Sequence, residues 1–287
     1  MRLLDLLRKS TEYLEQNGID DALPEAEMLV FHAVNRNRLD AYIENPEIKS
    51  ADSAKVRRLL QRRLKGEPVQ YIIGHIEFCG LCIKVGKGVL IPRPETELLV
   101  EEVIRAISDQ RSAVSSKTVK SLSLLDLCTG TGCIALALAR EFPEAGVYGT
   151  DLSKEAVAYA KKNAKANNIE NIRFRQGSLF DAVKAKRFDI ITANPPYIRR
   201  DEIETLQREI RDWEPVAALD GGLDGMDFYR AILSSVGDYL NPDGFIFLEL
   251  GYDQAEGVQK IARAEGFSEI TVIKDYAGIG RILKAKS

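Results

Sequence analysis

The tetrapeptide Asn194-Pro195-Pro196-Tyr197, directly after the apolar run Phe188–Ala193, has the residue types needed to hold a planar NH2 group. Such a nitrogen is a poor nucleophile because its lone pair is delocalised, but acceptors can hold its two N–H groups. The Asn194 side-chain oxygen and the Pro195 carbonyl are candidate acceptors. Proline fixes the backbone and removes competing donors, and Tyr197 offers a flat face for stacking. We expect this segment to orient an NH2 group for modification.

The same tetrapeptide has a simpler interpretation, a proline-rich turn after a strand in which Asn194 only caps the backbone. Its place in the chain favours chemistry, because it follows the fourth of a series of predicted strands and lies downstream of a glycine-rich loop. We therefore predict that Asn194, Pro195, Pro196 and Tyr197 are catalytic and bind the substrate.

The glycine-rich loop Cys128-Thr129-Gly130-Thr131-Gly132 joins the first strand of that series to its first helix. Glycine lets the backbone approach a ligand closely where a Cβ would collide, and ligands of such sheets bind beyond the carboxyl ends of the strands. The pattern suits a dinucleotide as well as S-adenosylmethionine, and a plain tight turn is the alternative without a ligand.

Further residues near the strand ends narrow the cofactor. Asp126 lies two residues before the loop, where a carboxylate could face the cationic half of a ligand, and Asp151 ends the second strand, where an acid accepts from ribose hydroxyls. Ser178 can hydrogen-bond an adenine amino group, on whose face Leu179 can pack. A nicotinamide enzyme has no use for the tetrapeptide, so we predict S-adenosylmethionine and methyl transfer. The predicted cofactor-binding residues are Asp126, Cys128, Thr129, Gly130, Thr131, Gly132, Asp151, Leu152, Ser178, Leu179 and Asn194.

The elements that position these residues change in type along the chain. Up to Gly66 apolar residues recur at helical spacing and predict three helices, the second starting near Pro24 and the third at Ser50, an expected N-cap. Short β-type runs at 70–73, 82–85 and 89–91, separated by glycines, predict a hairpin. A helix should start at Glu95, and Ser108–Ser121, rich in Ser and Lys, predicts an exposed connection.

The rest of the chain alternates strand and helix. Predicted strands are 122–127, 147–150, 172–176, 188–193, 244–250, 269–273 and 280–283, with helices at 134–141, 154–167, 228–239 and 254–265. Continuous apolar strands indicate helices on both faces of the sheet. We predict a Rossmann-like α/β methyltransferase domain of seven strands at 95–287, a helical substrate-docking domain at 1–66 and a β-hairpin linker at 67–94.

Composition excludes several other classes. Lys and Arg total 40 and Asp and Glu total 43, a net charge of -3, so no bulk attraction to nucleic acid is expected. No segment approaches the roughly 20 apolar residues that span a bilayer, and Met1–Ser10 lacks the apolar core of a secretory signal. The four cysteines predict reduced thiols in the cytoplasm. Cys79 and Cys82 form a C-x-x-C, but too few further ligands accompany them for zinc, so no metal is expected.

Several motifs resemble those of the protein-(glutamine-N5) methyltransferases that modify peptide chain release factors, and the resemblance covers essentially the whole chain. Ile-Pro-Arg-Pro-Glu-Thr-Glu at 91–97 is far more specific than the tetrapeptide, which adenine-N6 DNA methyltransferases share. The other matching segments are Gly66–Tyr71, Leu125–Gly132, Ala218–Gly222 and Asp275–Gly278. Cys128 and Ser178 depart from the residues common in such enzymes.

The resemblance implies that Asn194 and Pro195 accept from the glutamine amide of the Gly-Gly-Gln loop of class 1 release factors, in support of translation termination. It also implies that Tyr197 packs on that amide and that Arg93 and Glu97 border the bound molecules. The partner would be a release factor docked by the helical domain, with neither a membrane nor a nucleic acid as a direct partner. A DNA adenine methyltransferase is the main alternative, and a non-catalytic adenosine-binding protein is another.

Two further regions stand out. The basic helix 55–65 has a solvated face as its simpler interpretation, and contact with an acidic partner as the alternative. The charged segment Arg199–Asp227, which holds the only tryptophan, Trp213, follows the tetrapeptide. Connections of this length are usually functional or disordered, and we expect a lid over the substrate.

Overall fold

The computed structural model describes residues 1–113 and 122–286 of the chain. It divides into two compact units, the first comprising Met1–His75 and Gln207–Trp213 and the second Ile76–Leu206 and Glu214–Ser287. The first unit therefore extends beyond the predicted boundary at residue 66 and takes in a short segment from the middle of the chain. The functional division into 1–66, 67–94 and 95–287 stays a prediction.

The first unit is a bundle of short helices, as the apolar spacing predicted. These are α1 (Leu3–Gln16), α2 (Ala22–Val34), α3 (Arg38–Glu44), α4 (Ser50–Leu64) and α5 (Val69–Ile73). Each long helix turns one apolar face to a shared core, which includes Leu3, Leu14, Ala26, Leu29 and Val56. Burial of these faces, rather than helix propensity, stabilises such short helices.

Two details of this unit differ from the prediction, an additional helix and one N-cap. The additional helix is α3, whose seven residues are too few to show a helical period. Its local signal is Asn37, whose Oδ1 accepts from the backbone N–H of Asp40 at 2.8 Å. Ser50 is the first residue of α4 and not its N-cap, which is Lys49 and provides no side-chain hydrogen bond.

Two of the predicted β-type runs are not strands. Residues 70–73 lie in α5, a single turn that follows Pro68 and buries Tyr71 and Ile72. Residues 89–91 do not form a strand, and the N–H of Ile91 donates to a side chain, Glu214 Oε2, at 3.2 Å. β-branched residues favour a pleated, half-buried surface rather than fixing a strand, so tertiary packing overrides their preference here.

Most basic residues of the region 55–65 are exposed, in line with a solvated face, and Arg63 is the exception. Arg63 is only 4% exposed, and its guanidinium binds Glu25 Oε2 at 2.6 Å and Glu209 Oε1 at 3.2 Å. Arg62 pairs with Glu67 at the end of the same helix. Arg63 thus ties α2, α4 and the segment 207–213 together within the first unit.

The second unit contains the hairpin β1 (His75–Phe78) and β2 (Leu81–Lys84) and a seven-stranded sheet, so the predicted fold class is confirmed. The sheet strands are β3 (Ser123–Leu127), β4 (Gly146–Asp151), β5 (Ile172–Gln176), β6 (Phe188–Ala193), β7 (Leu240–Glu249), β8 (Glu269–Lys274) and β9 (Gly280–Lys286). The helices of this unit are α6 (Glu95–Ala113), α7 (Cys133–Glu141), α8 (Lys154–Ala166), α10 (Asp227–Val236) and α11 (Ala255–Ala264). The remaining short helix, α9 (Arg208–Arg211), belongs to the first unit.

Strand order in the sheet is β5-β4-β3-β6-β7-β9-β8. The first five strands in this order are parallel, and β9 is antiparallel to both β7 and β8. The order reverses between β3 and β6, and such a reversal opens a ligand crevice at the carboxyl ends of the strands. Leu127 at the end of β3 pairs with Ala193 at the end of β6, so the glycine loop and the tetrapeptide begin side by side.

The helix α6 extends farther than predicted and replaces the first part of the expected connection 108–121. Its buried face includes Val103, Ala106 and Ile107, and the helix continues to Ala113. The rest of that connection, 114–121, lies outside the described residues. In residues 1–113 and 122–286, no helix is both long and apolar enough to cross a membrane.

Candidate active site

A cavity of about 430 Å³ lies where the crevice is expected, beyond the ends of β3, β4 and β6. It brings together ten of the residues predicted from the sequence. These are Cys128, Thr129, Gly130, Thr131, Asp151, Leu152, Ser178, Leu179, Asn194 and Pro196. Segments far apart in the sequence therefore form one site.

Asp151 holds the glycine loop in shape as well as lining the cavity. Its Oδ2 accepts from the backbone N–H of Gly130 at 2.8 Å, and its Oδ1 accepts from that of Ser153 at 2.8 Å. Burial raises the pKa of Asp151, and these two backbone hydrogen bonds act in the opposite direction. A carboxylate oxygen accepts more than one hydrogen bond, so both oxygens keep capacity for a ligand hydroxyl.

The two glycines of the loop have different roles. Gly130 has φ +55° and lines the cavity, and a Cβ at this position would lie 4.0 Å from its nearest neighbour, the carbonyl oxygen of Cys128. Gly132 has φ +82° and does not line the cavity; a Cβ there would lie 2.9 Å from Phe174 Cζ and 3.0 Å from Ala160 Cβ. Gly132 is therefore required by packing inside the domain, and its contact with the cofactor stays a prediction.

Asp126 is buried beneath the loop and does not line the cavity, so its expected place facing the cofactor stays a prediction. It is 1% exposed and accepts from Thr129 Oγ1 at 2.6 Å and from Thr192 Oγ1 at 2.9 Å. Burial raises its pKa to about 7, and the hydrogen bonds from the two threonines oppose that shift. Its role is to fix the loop to β6 from below.

Asn194 occupies the first position after β6, and its side chain belongs to a buried hydrogen-bond chain. Asn194 Nδ2 donates to Thr96 Oγ1 at 3.3 Å, and Thr96 Oγ1 donates to Glu249 Oε2 at 2.7 Å. Thr96 is 1% and Glu249 3% exposed. The amide nitrogen of Asn194 is thus engaged by the protein, and its Oδ1 remains for a donor in the cavity.

Thr96 and Glu249 were missed by the sequence analysis, although each left a signal. Thr96 lies inside the segment 91–97, in which only Arg93 and Glu97 were singled out. Glu249 is a lone carboxylate at the end of the apolar strand β7, and such a residue is rarely fully buried without a partner. Burial raises the pKa of Glu249 to about 7, while hydrogen bonds from Thr96 and Asn194 lower it.

Two members of the tetrapeptide do not line the cavity. Pro195 is buried, and Tyr197 is half-buried and packs against the core of the second unit. The backbone of Tyr197 is held by Gln254, whose Nε2 donates to the Tyr197 carbonyl at 2.8 Å. It also meets Gly221, where a Cβ would lie 2.7 Å from Tyr197 Cα. The roles of Pro195 and Tyr197 in binding substrate stay predictions.

Arg93 and Glu97 do not line the cavity either, and their implied place beside the bound molecules stays a prediction. Arg93 Nη2 pairs with Glu214 Oε1 at 2.6 Å, and Glu97 Oε1 accepts from the backbone N–H of Cys79 at 2.6 Å. Glu214, whose side chain is 1% exposed, therefore joins the segment around Ile91 to the start of 214–218.

Those two joined segments supply apolar walls of the cavity. Val89, Leu90 and Pro92 come from the first, and Pro215, Ala217 and Ala218 from the second. The second lies in the stretch 199–227 that was expected to be a lid. Much of that stretch is ordered into single turns at Ile203–Thr205, Arg208–Arg211 and Val216–Ala218. Trp213 falls in the first unit, and closure over a substrate stays a prediction.

Two family models match the chain, the PrmC N-terminal domain over residues 5–74 and the Methyltransferase small domain over residues 107–212. The sheet resembles that of a methyltransferase from Pyrococcus furiosus, with a TM-score of 0.52 and 21% identity over 72% of this chain and 89% of that one. It also resembles the 16S rRNA N2 G1207 methyltransferase of T. thermophilus, solved with AdoMet and guanosine. The TM-score is 0.52, with 20% identity over 74% of this chain and 49% of that one. These likenesses show the fold alone.

Full-length relatives are more specific. The release factor glutamine methyltransferase of Thermodesulfovibrio yellowstonii is 46% identical over 100% of both chains. That of Geobacter sulfurreducens is 41% identical over 94% of this chain and 92% of its own. The resemblance seen in the sequence motifs is confirmed: the chain belongs to the release factor glutamine methyltransferase family.

Proposed function

We propose that this enzyme transfers a methyl group from S-adenosylmethionine to the side-chain amide nitrogen, N5, of the glutamine in the Gly-Gly-Gln loop of class 1 release factors. The observation that carries the proposal is the oriented amide of Asn194, which faces its nitrogen to Thr96 and leaves its oxygen for a donor. The names of the full-length relatives support the same substrate. Such a modification would support translation termination.

The cavity fits S-adenosylmethionine in size and chemistry. Small-molecule sites are mostly apolar clefts of about 300–1,000 Å³ with a few polar groups, and this one measures about 430 Å³. Asp151 supplies acceptors for ribose hydroxyls, the loop 128–131 supplies close backbone, and Leu152 and Leu179 supply apolar surface for adenine. When bound there, the cofactor supplies an electrophilic methyl group.

The acceptor side positions a weak nucleophile. A glutamine amide has two N–H donors, and Asn194 Oδ1 can accept from one of them while the Pro195 carbonyl accepts from the other. Holding the nitrogen in place lowers the entropic part of the barrier. No general base is required, because the amide nitrogen becomes strongly acidic once alkylated and its proton can leave to water.

The amino-terminal unit is proposed to dock the release factor. Its helix α3 exposes Leu39 by 70%, Ile43 by 73% and Tyr42 by 43%. Leu39 and Ile43 are four residues apart and therefore share a face of the helix. Exposed apolar side chains clustered on one element support a protein contact. Changing Leu39 and Ile43 to Glu should raise KM for the release factor and leave cofactor affinity unchanged.

The tetrapeptide alone also suits a flipped adenine, so the acceptor must be tested directly. A DNA enzyme requires phosphate contacts and a groove-reading region, for which a chain of net charge -3 offers little. Three acceptors should be compared with labelled cofactor: a release factor, the same factor with the loop glutamine changed to alanine, and adenine-containing duplex DNA. Label on the first alone is expected. Label on the DNA, or equal label on the alanine variant, would overturn the proposal.

A further inference from the structure

The hydrogen-bond chain behind Asn194 joins three elements that are distant in sequence. Thr96 is in the first turn of α6, Glu249 ends β7, and Asn194 follows β6. Thr96 Oγ1 lies 2.7 Å from Glu249 Oε2 and 3.3 Å from Asn194 Nδ2. Of the three, Thr96 and Glu249 are almost completely buried. The carboxylate end of the chain is therefore shielded from water, while Thr96 and Asn194 border the cavity.

The direction of these bonds follows from donor capacity. An ionised carboxylate can only accept, so Glu249 takes the single proton of the Thr96 hydroxyl. The hydroxyl then has no proton left for Asn194 and can only accept from it. Asn194 must turn its NH2 toward Thr96 and Glu249, because Glu249 also accepts a hydrogen bond from Asn194, and its oxygen points the other way. The hydrogen-bond network, through donor capacity, thus assigns which end of the Asn194 amide is oxygen and which is nitrogen.

We infer that Thr96 and Glu249 are positioning residues that hold the Asn194 amide in the orientation required to accept from the substrate NH2, an inference that rests on the proposed function. In the opposite orientation, Asn194 would present N–H donors to an amide nitrogen that itself carries two N–H donors. That arrangement repels the nucleophile. The orientation of one amide thus decides whether the acceptor is held or rejected.

The ionisation of Glu249 gives the inference a pH signature. A protonated Glu249 could donate to Thr96, which would free the hydroxyl proton for Asn194 Oδ1 and reverse the chain. Burial raises the pKa of Glu249 to about 7, so the required state is complete above that pH and is lost as the pH falls through it. The other titratable and charged groups near Glu249 come from α6, α7, the tetrapeptide, α10 and β9: Glu95, Cys133, Tyr197, Tyr229 and Arg281.

The test uses the full-length enzyme with an intact release factor. Thr96→Val removes the hydroxyl at nearly constant volume, and Thr96→Ser keeps it. Loss of a positioned polar contact should lower kcat for T96V by about tenfold to a hundredfold with KM little changed, and T96S should recover most of that loss. The control is Tyr229→Phe, which removes a buried hydroxyl that donates to the backbone carbonyl of Glu249 at 2.9 Å. This control should keep kcat close to the wild-type value.

Two measurements distinguish loss of the Asn194 orientation from a general fault in packing. Calorimetric affinity for the cofactor should stay unchanged in T96V, and Glu249→Gln should abolish the fall in kcat below pH about 7, which a fault in packing would not do. Normal kcat in T96V, or an unchanged acid limb in E249Q, would overturn the inference. If T96V does not fold, the E249Q pH profile decides. Failure of the proposed function would appear separately, as wild-type enzyme that transfers no methyl to the release factor, and would overturn the inference with it.

Discussion

The two ends of the active site are built differently. At the cofactor end, a contiguous loop, 128–131, presents mainly backbone, and one carboxylate, Asp151, holds it by accepting from the backbone N–H of Gly130. At the acceptor end, Asn194 is oriented by side chains at positions 96 and 249, contributed by different elements. One end therefore depends on local backbone shape, and the other on side chains that only the complete fold brings together.

This difference explains where the sequence departs from common patterns without loss. Cys128, in a loop that often begins with Gly, has φ +53°, a left-handed conformation that costs a non-glycine residue about 1–2 kcal/mol. The backbone shape is kept, so the departure is tolerated. Ser178 likewise lines the cavity and still offers a hydrogen-bonding hydroxyl. At the acceptor end we do not expect substitutions to be tolerated in this way, because the hydrogen-bond donors of each side chain determine the orientation of the next one.

The largest expected effect is at Asn194. Asn194→Ala removes the acceptor for the substrate NH2, so methyl transfer should fall by about a hundredfold or more, as for other single contacts to a reacting group. Cofactor affinity should remain nearly unchanged, because the loop and Asp151 are intact. Single-turnover transfer and calorimetry, run on the same preparation, measure both. Near-normal turnover would show that Asn194 is only a cap.

The opposite separation is expected at Asp151. Asp151→Ala removes an acceptor for the ribose and leaves the N–H groups of Gly130 and Ser153 unpaired. Cofactor binding should weaken by about 1.5–3 kcal/mol, the range for hydrogen bonds to a charged group. Turnover at saturating cofactor should change much less. Undiminished cofactor binding by calorimetry would contradict the claim that the two ends of the site serve different steps, cofactor binding at Asp151 and methyl transfer at Asn194.

A smaller and purely structural effect distinguishes the two loop glycines. Gly132→Ala places a Cβ 2.9 Å from the Phe174 ring, and overpacking of this kind costs about 1–3 kcal/mol in addition to the positive φ. Gly130→Ala makes only an ordinary van der Waals contact, 4.0 Å from the Cys128 carbonyl oxygen, so only the backbone cost of about 1–2 kcal/mol remains. Urea unfolding of both variants measures the difference. Equal destabilisation would mean that the Phe174 ring does not pack tightly against the loop.

The sequence predicted the sheet well because its strands are apolar runs of the right length, separated by helical periods. It also predicted ten cavity residues, since the loop and the tetrapeptide directly follow strands and parallel strands end at the same edge. Both predictions rest on local pattern. Only tertiary pairing could show that β3 and β6 lie side by side, although the alternation of strand and helix favoured that arrangement.

What the sequence did not predict is non-local or too short to be periodic. The short helix α3 lacks a readable period, and α5 is a single turn in a β-prone stretch. Asp126 was expected at the ligand from its place before the loop, and Arg93 and Glu97 from the resemblance, but the sequence could not show that each is also engaged by a protein partner. Thr96 and Glu249 are 153 residues apart in the sequence, so no local pattern could show that they are in contact.

The identity of the acceptor atom, the side-chain nitrogen of a glutamine, can be read from the chemistry of the modified residue. A release factor labelled by this enzyme with a radioactive methyl group is hydrolysed in acid, which releases the label of an N-methylated amide as methylamine. We expect the label to be recovered as methylamine from the Gly-Gly-Gln peptide. Recovery as methanol, from another peptide, or as methylated adenine from DNA would show that the acceptor is a different group.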